Sequence, residues 1–248
     1  MRTCNFCGNT VNSKEDAWPL WLVRRLGNIK TGIVEGQRGK QTQNSWRAGK
    51  YPLRTGNVCK NCNNGWMSDL ENRVKPIIER FFLDEQVSLD ECDQTTLAIW
   101  ICKNAMVYET LRQKASWFFT SQERESFRES FHIPTQTSIW LAKSDGFTGL
   151  FCSASDLNGI TAEPPNQVKA YITTMGFGPI AIQIFNAKMS KPIPENITIT
   201  GDLQPGPWDQ IIVQIWPISA DIVSWPNDIG LNGELGLDNF SHRWKPIG

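Results

Sequence analysis

The chain has 248 residues, 40% of them hydrophobic and 20% charged, which predicts a globular protein of one domain or two small ones. It contains no run of about 18 uncharged apolar residues and no apolar signal-peptide core at its start, so neither membrane insertion nor secretion is predicted. We therefore expect a cytoplasmic protein. Disulfide bonds are rare in that compartment, so pairs among the seven cysteines indicate metal binding or redox chemistry.

The first feature along the chain is a CxxC pair, Cys4 with Cys7, which is matched later by a second pair, Cys59 with Cys62. The two-residue spacer lets both sulfurs of a pair bind one ion, and two pairs supply the four thiolates that structural zinc prefers. Redox motifs or buried thiols are the alternatives, but neither pair lies in a βαβ pattern. The sequence therefore predicts one structural zinc ion bound by the four cysteines.

Between the two pairs the sequence predicts a short helix and a long loop. Pro19 can open a helix over LWLVRRL, and Gly27 can end it. The segment 28–57 is polar and rich in glycine with little periodicity, so we expect a mobile loop there.

This part of the chain is basic. Residues 1–80 carry 14 Lys or Arg against 6 Asp or Glu, a balance of +8, and the remainder carries the opposite charge because the net charge is zero. A basic segment interleaved with aromatic residues suits a polyanion, although a solvated loop that pairs with the acidic remainder is the simpler alternative. The residues expected to contact nucleic acid are Arg24, Arg25, Arg38, Lys40, Arg47, Lys50 and Arg54.

Three helices are predicted in the middle of the chain. The first begins at SDLE, where Ser68 and Glu71 can form a capping box, and Pro76 should kink or divide it. The second covers residues 93–111 and is apolar nearly all round, which is typical of a helix at the centre of a core. The third, over residues 121–131, is more polar.

From residue 137 the sequence predicts an antiparallel sheet, because short β-rich runs alternate with Gly, Pro, Asn and Asp. The runs are TSIWLAK, GLFCSAS, VKAYITTM, GPIAIQIFNA, NITITG and DQIIVQIWPI. The tail over 224–248 is expected to wrap the body as a loop. The predicted fold class is α+β, with residues 1–82 as a zinc-binding domain with a basic loop and residues 83–248 as a helical and β-sheet domain.

The N-terminal motifs together resemble the zinc-stabilised branch of the HNH endonucleases. The matching stretches are CNFCG, SKEDAWPLWL and VCKNCNNGWMSDLE, which cover about residues 4–71. Members of the family carry CxxC, then an acidic-His-x-x-Pro element, then CxxCN running into a helix. The resemblance implies a treble-clef-like ββα-metal module, in which a β-hairpin and a helix hold a catalytic divalent ion and the cysteines bind a separate zinc.

The resemblance assigns site roles to three residues. Glu15 lies where the family has an acidic or His metal ligand, Asn63 where it has another ligand or an orienting residue, and Asp16 where it has the catalytic His. In HNH chemistry that His deprotonates a water, and an ion such as Mg²⁺ or Mn²⁺ stabilises the developing charge. A carboxylate is a weaker base than an imidazole, reaches less far and repels a phosphodiester. We therefore expect Asp16 to lower the rate of cleavage by about two to four orders of magnitude.

The remaining HNH roles are not assigned by the resemblance. Asn44 and Asn57 are candidates for the middle Asn of the motif only because they lie between its two halves. His132 and His242 are the two histidines of the chain, and neither lies in a context that would let it replace the general base.

The sequence therefore favours a metal-dependent HNH endonuclease that acts on DNA rather than RNA and is impaired by Asp16. A working variant in which Glu15 and Asp16 both hold the metal is a second possibility. The alternative from another class is a non-catalytic zinc module that binds nucleic acid or protein, with the eleven Trp filling a core. The expected partners are nucleic acid and, through the C-terminal part, a second copy or another protein. A role in defence follows by analogy alone.

Overall fold

The computed structural model describes residues 2–27, 32–38, 41–48, 54–83, 85–112, 114, 117–160, 167–191 and 207–243. The helices in these ranges are α1 (Leu20–Leu26), α2 (Lys60–Cys62), α3 (Ser68–Arg80), α4 (Glu91–Glu109), α5 (Ser121–Ser130) and α6 (Gly233–Ser241). The strands are β1 (Glu15–Asp16), β2 (Gly32–Arg38), β3 (Gln41–Ala48), β4 (Arg54–Thr55), β5 (Val87–Asp90), β6 (Thr137–Asp145), β7 (Leu150–Ile160), β8 (Gln167–Phe177), β9 (Ile180–Met189), β10 (Ile212–Trp216), β11 (Ile222–Trp225) and β12 (Leu231–Asn232).

The main sheet has the order β10-β6-β9-β8-β7-β2-β3. Strands β6 to β9 pair antiparallel, as their alternating sequences predict, and β10 pairs antiparallel with β6 at one edge. The short strand β12 runs parallel to β6. The predicted α+β class and the C-terminal sheet are thus confirmed, while the predicted strand NITITG lies outside the described residues.

The loop expected over 28–57 is wrong for much of that segment. Strands β2 and β3 form a hairpin, and β2 adds in parallel to β7, with Gly32 opposite Leu150. The strand β4 pairs with β1 close to the cysteines. Strand formation here depends on hydrogen-bond partners on β7, which are far away in sequence, so the polar sequence of the segment gives little local signal for it.

The helix after the second CxxC pair begins earlier than predicted. Its N-cap is Cys59, and the helical backbone continues from α2 through the π-helical residues 63–67 into α3, with a kink at Gly65. The predicted capping box is therefore wrong: Ser68 lies inside this helical run, where no free helix end remains to be capped. Pro76 lies within α3 and does not divide it.

Helix α4 is the central element of the core, as its apolar sequence predicts. It is buried from residue 100 to residue 109, and one hydrophobic cluster extends from the cysteines through α3 and α4 to one face of the main sheet. Trp18 packs edge-on against Tyr108 and Phe177, with ring centroids at 5.5 and 5.6 Å. Within the described ranges no helix combines the length and the apolar character that a bilayer crossing requires.

The loop expected over 224–248 is also wrong in part, because it contains the end of β11, the strand β12 and the helix α6. The side chains of Leu237 and Phe240 are fully buried and belong to a second cluster with Phe151 of β7. Two apolar residues three positions apart give α6 its buried face. Three glycines in Gly230–Gly236 obscure this helical pattern in the sequence.

Candidate metal centre and adjoining acidic site

The two CxxC pairs meet in space. The Sγ atoms of Cys4, Cys7, Cys59 and Cys62 all lie within 4.8 Å of one another, and those of Cys7 and Cys59 are 3.5 Å apart. Four sulfurs at a zinc–sulfur distance of about 2.3 Å lie roughly 3.8 Å apart in a tetrahedron, so the cluster is close to the size that one ion requires. The four cysteines can therefore hold a metal ion such as zinc.

A tight turn and a helix start position the sulfur atoms of the two pairs. The first pair lies in a tight turn in which the Gly8 N–H donates to the Cys4 carbonyl at 2.9 Å, and Gly8 adopts a φ of +71°. A positive φ favours glycine, which explains the CxxCG sequence. The second pair brackets α2: Cys59 is its N-cap and Cys62 is its last residue. Both sulfurs of each pair can then reach one point.

Hydrogen bonds outside the cysteines hold the two halves of the cluster together. The Asn5 N–H donates to the Asn57 carbonyl at 3.0 Å, and the Ser13 hydroxyl donates to the Val58 carbonyl at 2.8 Å. Trp66 packs against the side of the cluster, with its ring 5.4 Å from that of Phe6. Trp66 thus packs the core next to the cysteines, whereas Trp18 packs against α4 and β8.

The thiols of the cluster differ in acidity. The Cys62 thiol donates a hydrogen bond to Cys4, which lowers the pKa of Cys4 to about 4 and raises the pKa of Cys62. Burial raises the pKa of Cys7. One cysteine thus favours the thiolate form, which is the form that binds metal.

Next to the cysteine cluster, an acidic site forms where β1, α3 and α4 converge. The Nζ atom of Lys103 on α4 lies 3.2 Å from Glu71 Oε1 on α3 and 3.7 Å from Glu15 Oε1 on β1. Glu15 is 4% exposed and Lys103 is 1% exposed. An isolated charge is costly to bury, so the ammonium and the two carboxylates compensate one another.

Burial dominates the ionisation of Glu15. Desolvation raises the pKa of Glu15 to about 7, and the nearby charge of Lys103 only partly opposes this shift. The carboxylates of Glu71 and Asp16 add to the rise, because they disfavour a further negative charge. Burial thus favours the protonated form of Glu15.

Asp16, at the predicted general-base position, is held by an ion pair. Its carboxylate accepts a hydrogen bond from Arg54 Nε at 2.6 Å, and the two residues are opposite each other in the β1–β4 ladder. Asn63 reaches the same strand from the helix side, because its Nδ2 donates to the Lys14 carbonyl at 3.4 Å. The structure thus gathers Glu15, Asp16 and Asn63, although Asn63 lies 49 positions from Lys14 in sequence.

The other candidates for an HNH site lie elsewhere or have side chains that are engaged in other hydrogen bonds. Asn57 Nδ2 donates to Thr55 Oγ1 and to the Thr110 carbonyl, and the side chain of Asn44 lies outside the described residues. His132 lines a cavity of about 700 Å³ beside α5 and β9. His242 follows α6, where its Nδ1 lies near Asp238.

Of the residues expected to contact nucleic acid, Arg24, Arg25 and Arg54 lie at the surface, and two of them have acidic partners. Arg24 is exposed at the end of α1. Arg25 pairs with Glu79 at 2.9 Å, and Arg54 pairs with Asp16. Arg38 and Arg47 lie on β2 and β3 with side chains outside the described residues, and Lys40 and Lys50 lie outside them entirely.

Sequence reasoning missed Lys103 and assigned Glu71 to a helix cap. A signal for Lys103 was present, because LAIWICKNAMVYETL places a lysine inside a largely apolar helix. A buried lysine needs an acidic partner. The partner could not be named without the fold, because Glu15 and Glu71 lie on other elements.

Comparison of the chain with protein-family models, with curated proteins and with solved structures gave no match. The assignment of a function therefore depends on the residues and geometry described above.

Proposed function

We propose that this chain binds nucleic acid through a zinc-stabilised N-terminal module of the HNH-endonuclease type, and that its hydrolysis of phosphodiesters in DNA is impaired. The observation that carries the proposal is the convergence at the cysteine cluster. The cluster joins the β1–β4 ladder to α2 and α3, and beside it lie Glu15, Asp16 and Asn63, the residues to which the motif resemblance assigns the reaction.

The proposed structural ion is zinc. Four sulfur atoms within 4.8 Å of one another suit one tetrahedral zinc ion. Structural zinc sites in proteins are built from cysteines alone or from cysteines and histidines. The polarised Cys4 supports this assignment, since metal binding requires deprotonated thiols.

The proposed catalytic defect lies at Asp16. A general base must face the attacking water, and here one oxygen of the Asp16 carboxylate is engaged by the Arg54 guanidinium. Glu15 and Asn63 would hold a divalent ion, Mg²⁺ or Mn²⁺, which would supply Lewis-acid stabilisation of the leaving oxygen. The oxygen of Glu15 and the amide of Asn63 are suitable ligands for such hard cations.

The alternative is a zinc module that binds nucleic acid or protein without catalysis. One observation favours it: both carboxylates of the acidic pair already have cationic partners, Lys103 for Glu15 and Arg54 for Asp16. Under this alternative the salt bridges are structural, and restoring a histidine would bring no cleavage.

The first experiment measures nucleic-acid binding. Labelled duplex DNA and single-stranded RNA are titrated with the zinc-loaded chain at several salt concentrations, and we expect affinity to fall steeply as salt rises. Arg24→Gln combined with Arg47→Gln should weaken binding, and the control pair Lys169→Gln with Arg128→Gln, which removes the same charge from the C-terminal part, should not. Absence of binding at low salt would refute the proposal.

The second experiment measures cleavage of plasmid DNA and of RNA with Mg²⁺ or Mn²⁺. Asp16→His should cut roughly 10²- to 10⁴-fold faster than the unmodified chain, which is the usual contribution of general acid–base catalysis. Asp69→His, at an exposed position on α3, is the control for adding a histidine. If every protein binds and none cuts, the non-catalytic alternative is correct.

A further inference from the structure

The buried Lys103 contacts Glu15, one of the two residues proposed to hold the catalytic metal. Its Nζ is within 4 Å of one carboxylate oxygen of Glu15 and one of Glu71, and its side chain is 1% exposed. The three side chains come from β1, α3 and α4, so the arrangement is built by the tertiary fold and not by a local sequence pattern. A cation between two converging carboxylates is the arrangement that proteins use for hard metal ions.

The charges at this site make an ammonium and a divalent ion mutually exclusive. With Lys103 in place, one positive charge faces the two carboxylates of Glu15 and Glu71, and a metal ion on Glu15 would meet an ammonium a few ångströms away. Repulsion at that distance is strong wherever water is largely excluded, and the 1% exposure of Lys103 and 4% exposure of Glu15 meet this condition.

We propose that Lys103 is a built-in competitor of the divalent ion, whose ammonium keeps Glu15 from binding metal until the ion concentration is high. The inference extends the proposed function, because Glu15 is the metal ligand of that proposal. It identifies Lys103 as a positioning residue that sets the metal requirement of the site. Lys103 does not touch the substrate, since its side chain is buried.

A purely structural role for Lys103 makes a different prediction. If the ion pairs only stabilise the junction of α3 and α4, removal of the ammonium would destabilise the chain and create no metal affinity. If the ammonium substitutes for an ion, its removal leaves the buried carboxylate of Glu15 and the partly exposed carboxylate of Glu71, which attract one, and binding of that ion restores the lost stability.

The test is Mn²⁺ binding, measured by electron paramagnetic resonance on zinc-saturated protein without nucleic acid. Mn²⁺ is chosen because it prefers oxygen ligands, whereas the cysteines retain zinc. Lys103→Met should bind Mn²⁺ roughly 100- to 1,000-fold more tightly than the unmodified chain, because a close positive charge has been removed from a buried site. Saturating Mn²⁺ should also raise the Tm of this variant by roughly 5–10 °C.

Two controls assign the effect to the site. Lys103→Arg keeps the positive charge and should bind Mn²⁺ as weakly as the unmodified chain. Glu15→Gln added to Lys103→Met should abolish the new binding. If Lys103→Met does not fold, Lys103→Gln replaces it, and circular dichroism and cooperative melting verify the fold of each variant.

Three results would overturn the inference. The first is tight binding of Mn²⁺ to the unmodified chain, if Glu15→Gln abolishes that binding. This measurement needs no variant at Lys103. The second is a folded Lys103→Met that binds Mn²⁺ no better than Lys103→Arg. The third is tight binding that survives Glu15→Gln. Because no nucleic acid is present, these results are independent of whether Asp16→His gains cleavage, so failure of the inference is distinct from failure of the proposed function.

Discussion

Loss of one cysteine of the cluster should lower the stability of the fold by an amount that depends on the length of the loop that the metal ion closes. Cys7 and Cys59 lie 52 positions apart and their sulfurs are neighbours, so a shared zinc ion closes a loop of that size. In the chain-entropy description of a cross-link, closing such a loop stabilises the fold by about 4 kcal/mol. For a chain of this size each kcal/mol moves the Tm by about 2–4 °C, so Cys59→Ala should lower it by about 8–16 °C.

The assay combines zinc content with thermal unfolding. Mass spectrometry of the metal should find about one zinc per unmodified chain and a large loss in Cys59→Ala, while differential scanning fluorimetry reports the Tm. Cys92→Ala is the matched control, because Cys92 is an exposed cysteine outside the cluster. Hydrogen exchange should accelerate first in the turn that contains Cys4 and in α2. If Cys59→Ala keeps its zinc, or melts within a degree or two of Cys92→Ala, the metal centre does not hold the N-terminal segment as described.

Two further predictions concern buried charges. Burial raises the pKa of Glu15 to about 7, so the folded chain holds a proton there that the unfolded chain releases at lower pH. The stabilisation that this proton gives is complete at pH values below the ordinary pKa of a glutamate, and it is lost as the pH rises through 7. Urea unfolding should therefore show the unmodified chain losing about 2 kcal/mol relative to Glu15→Gln between pH 5.5 and 8, and parallel curves would contradict the assignment. Glu109 and Arg124 form a fully buried ion pair, so Arg124→Met should cost about 3–5 kcal/mol and Glu109→Gln added to it should recover much of that loss, whereas additive losses would show that the pair is not coupled.

The parts of the fold that local sequence determines were predicted well. The strands β6 to β9 and the helix α5 have their own periodicity and turn residues, and α5 begins with a capping box formed by Thr120 and Glu123. The meeting of the two CxxC pairs was predictable for a similar reason, since the spacing within each pair suits one ion. Asn63, just after the second CxxC pair, lies beside Lys14, so this pair and the acidic pair are neighbours in space.

The parts that were missed depend on distant partners. The hairpin of β2 and β3 pairs with β7, more than 100 positions away, and nothing within its own polar sequence indicates that partner. The pairing of Lys103 with Glu15 and Glu71 requires α3, α4 and β1 to pack together first. In the same way, the helix start at Cys59 removed the capping role predicted for Ser68, because the turn before it was already helical.

The parallel pairing of β2 with β7 means that the basic N-terminal region and the C-terminal sheet are interleaved along the chain. The polypeptide leaves the first cysteine pair, contributes a hairpin to the far sheet, and returns to complete the second pair. A fragment ending near residue 82 would therefore take that hairpin away from the strand that pairs with it, and a fragment starting there would expose the bare edge of β7. Exposed strand edges promote aggregation, so each half expressed alone is expected to need the other half for solubility.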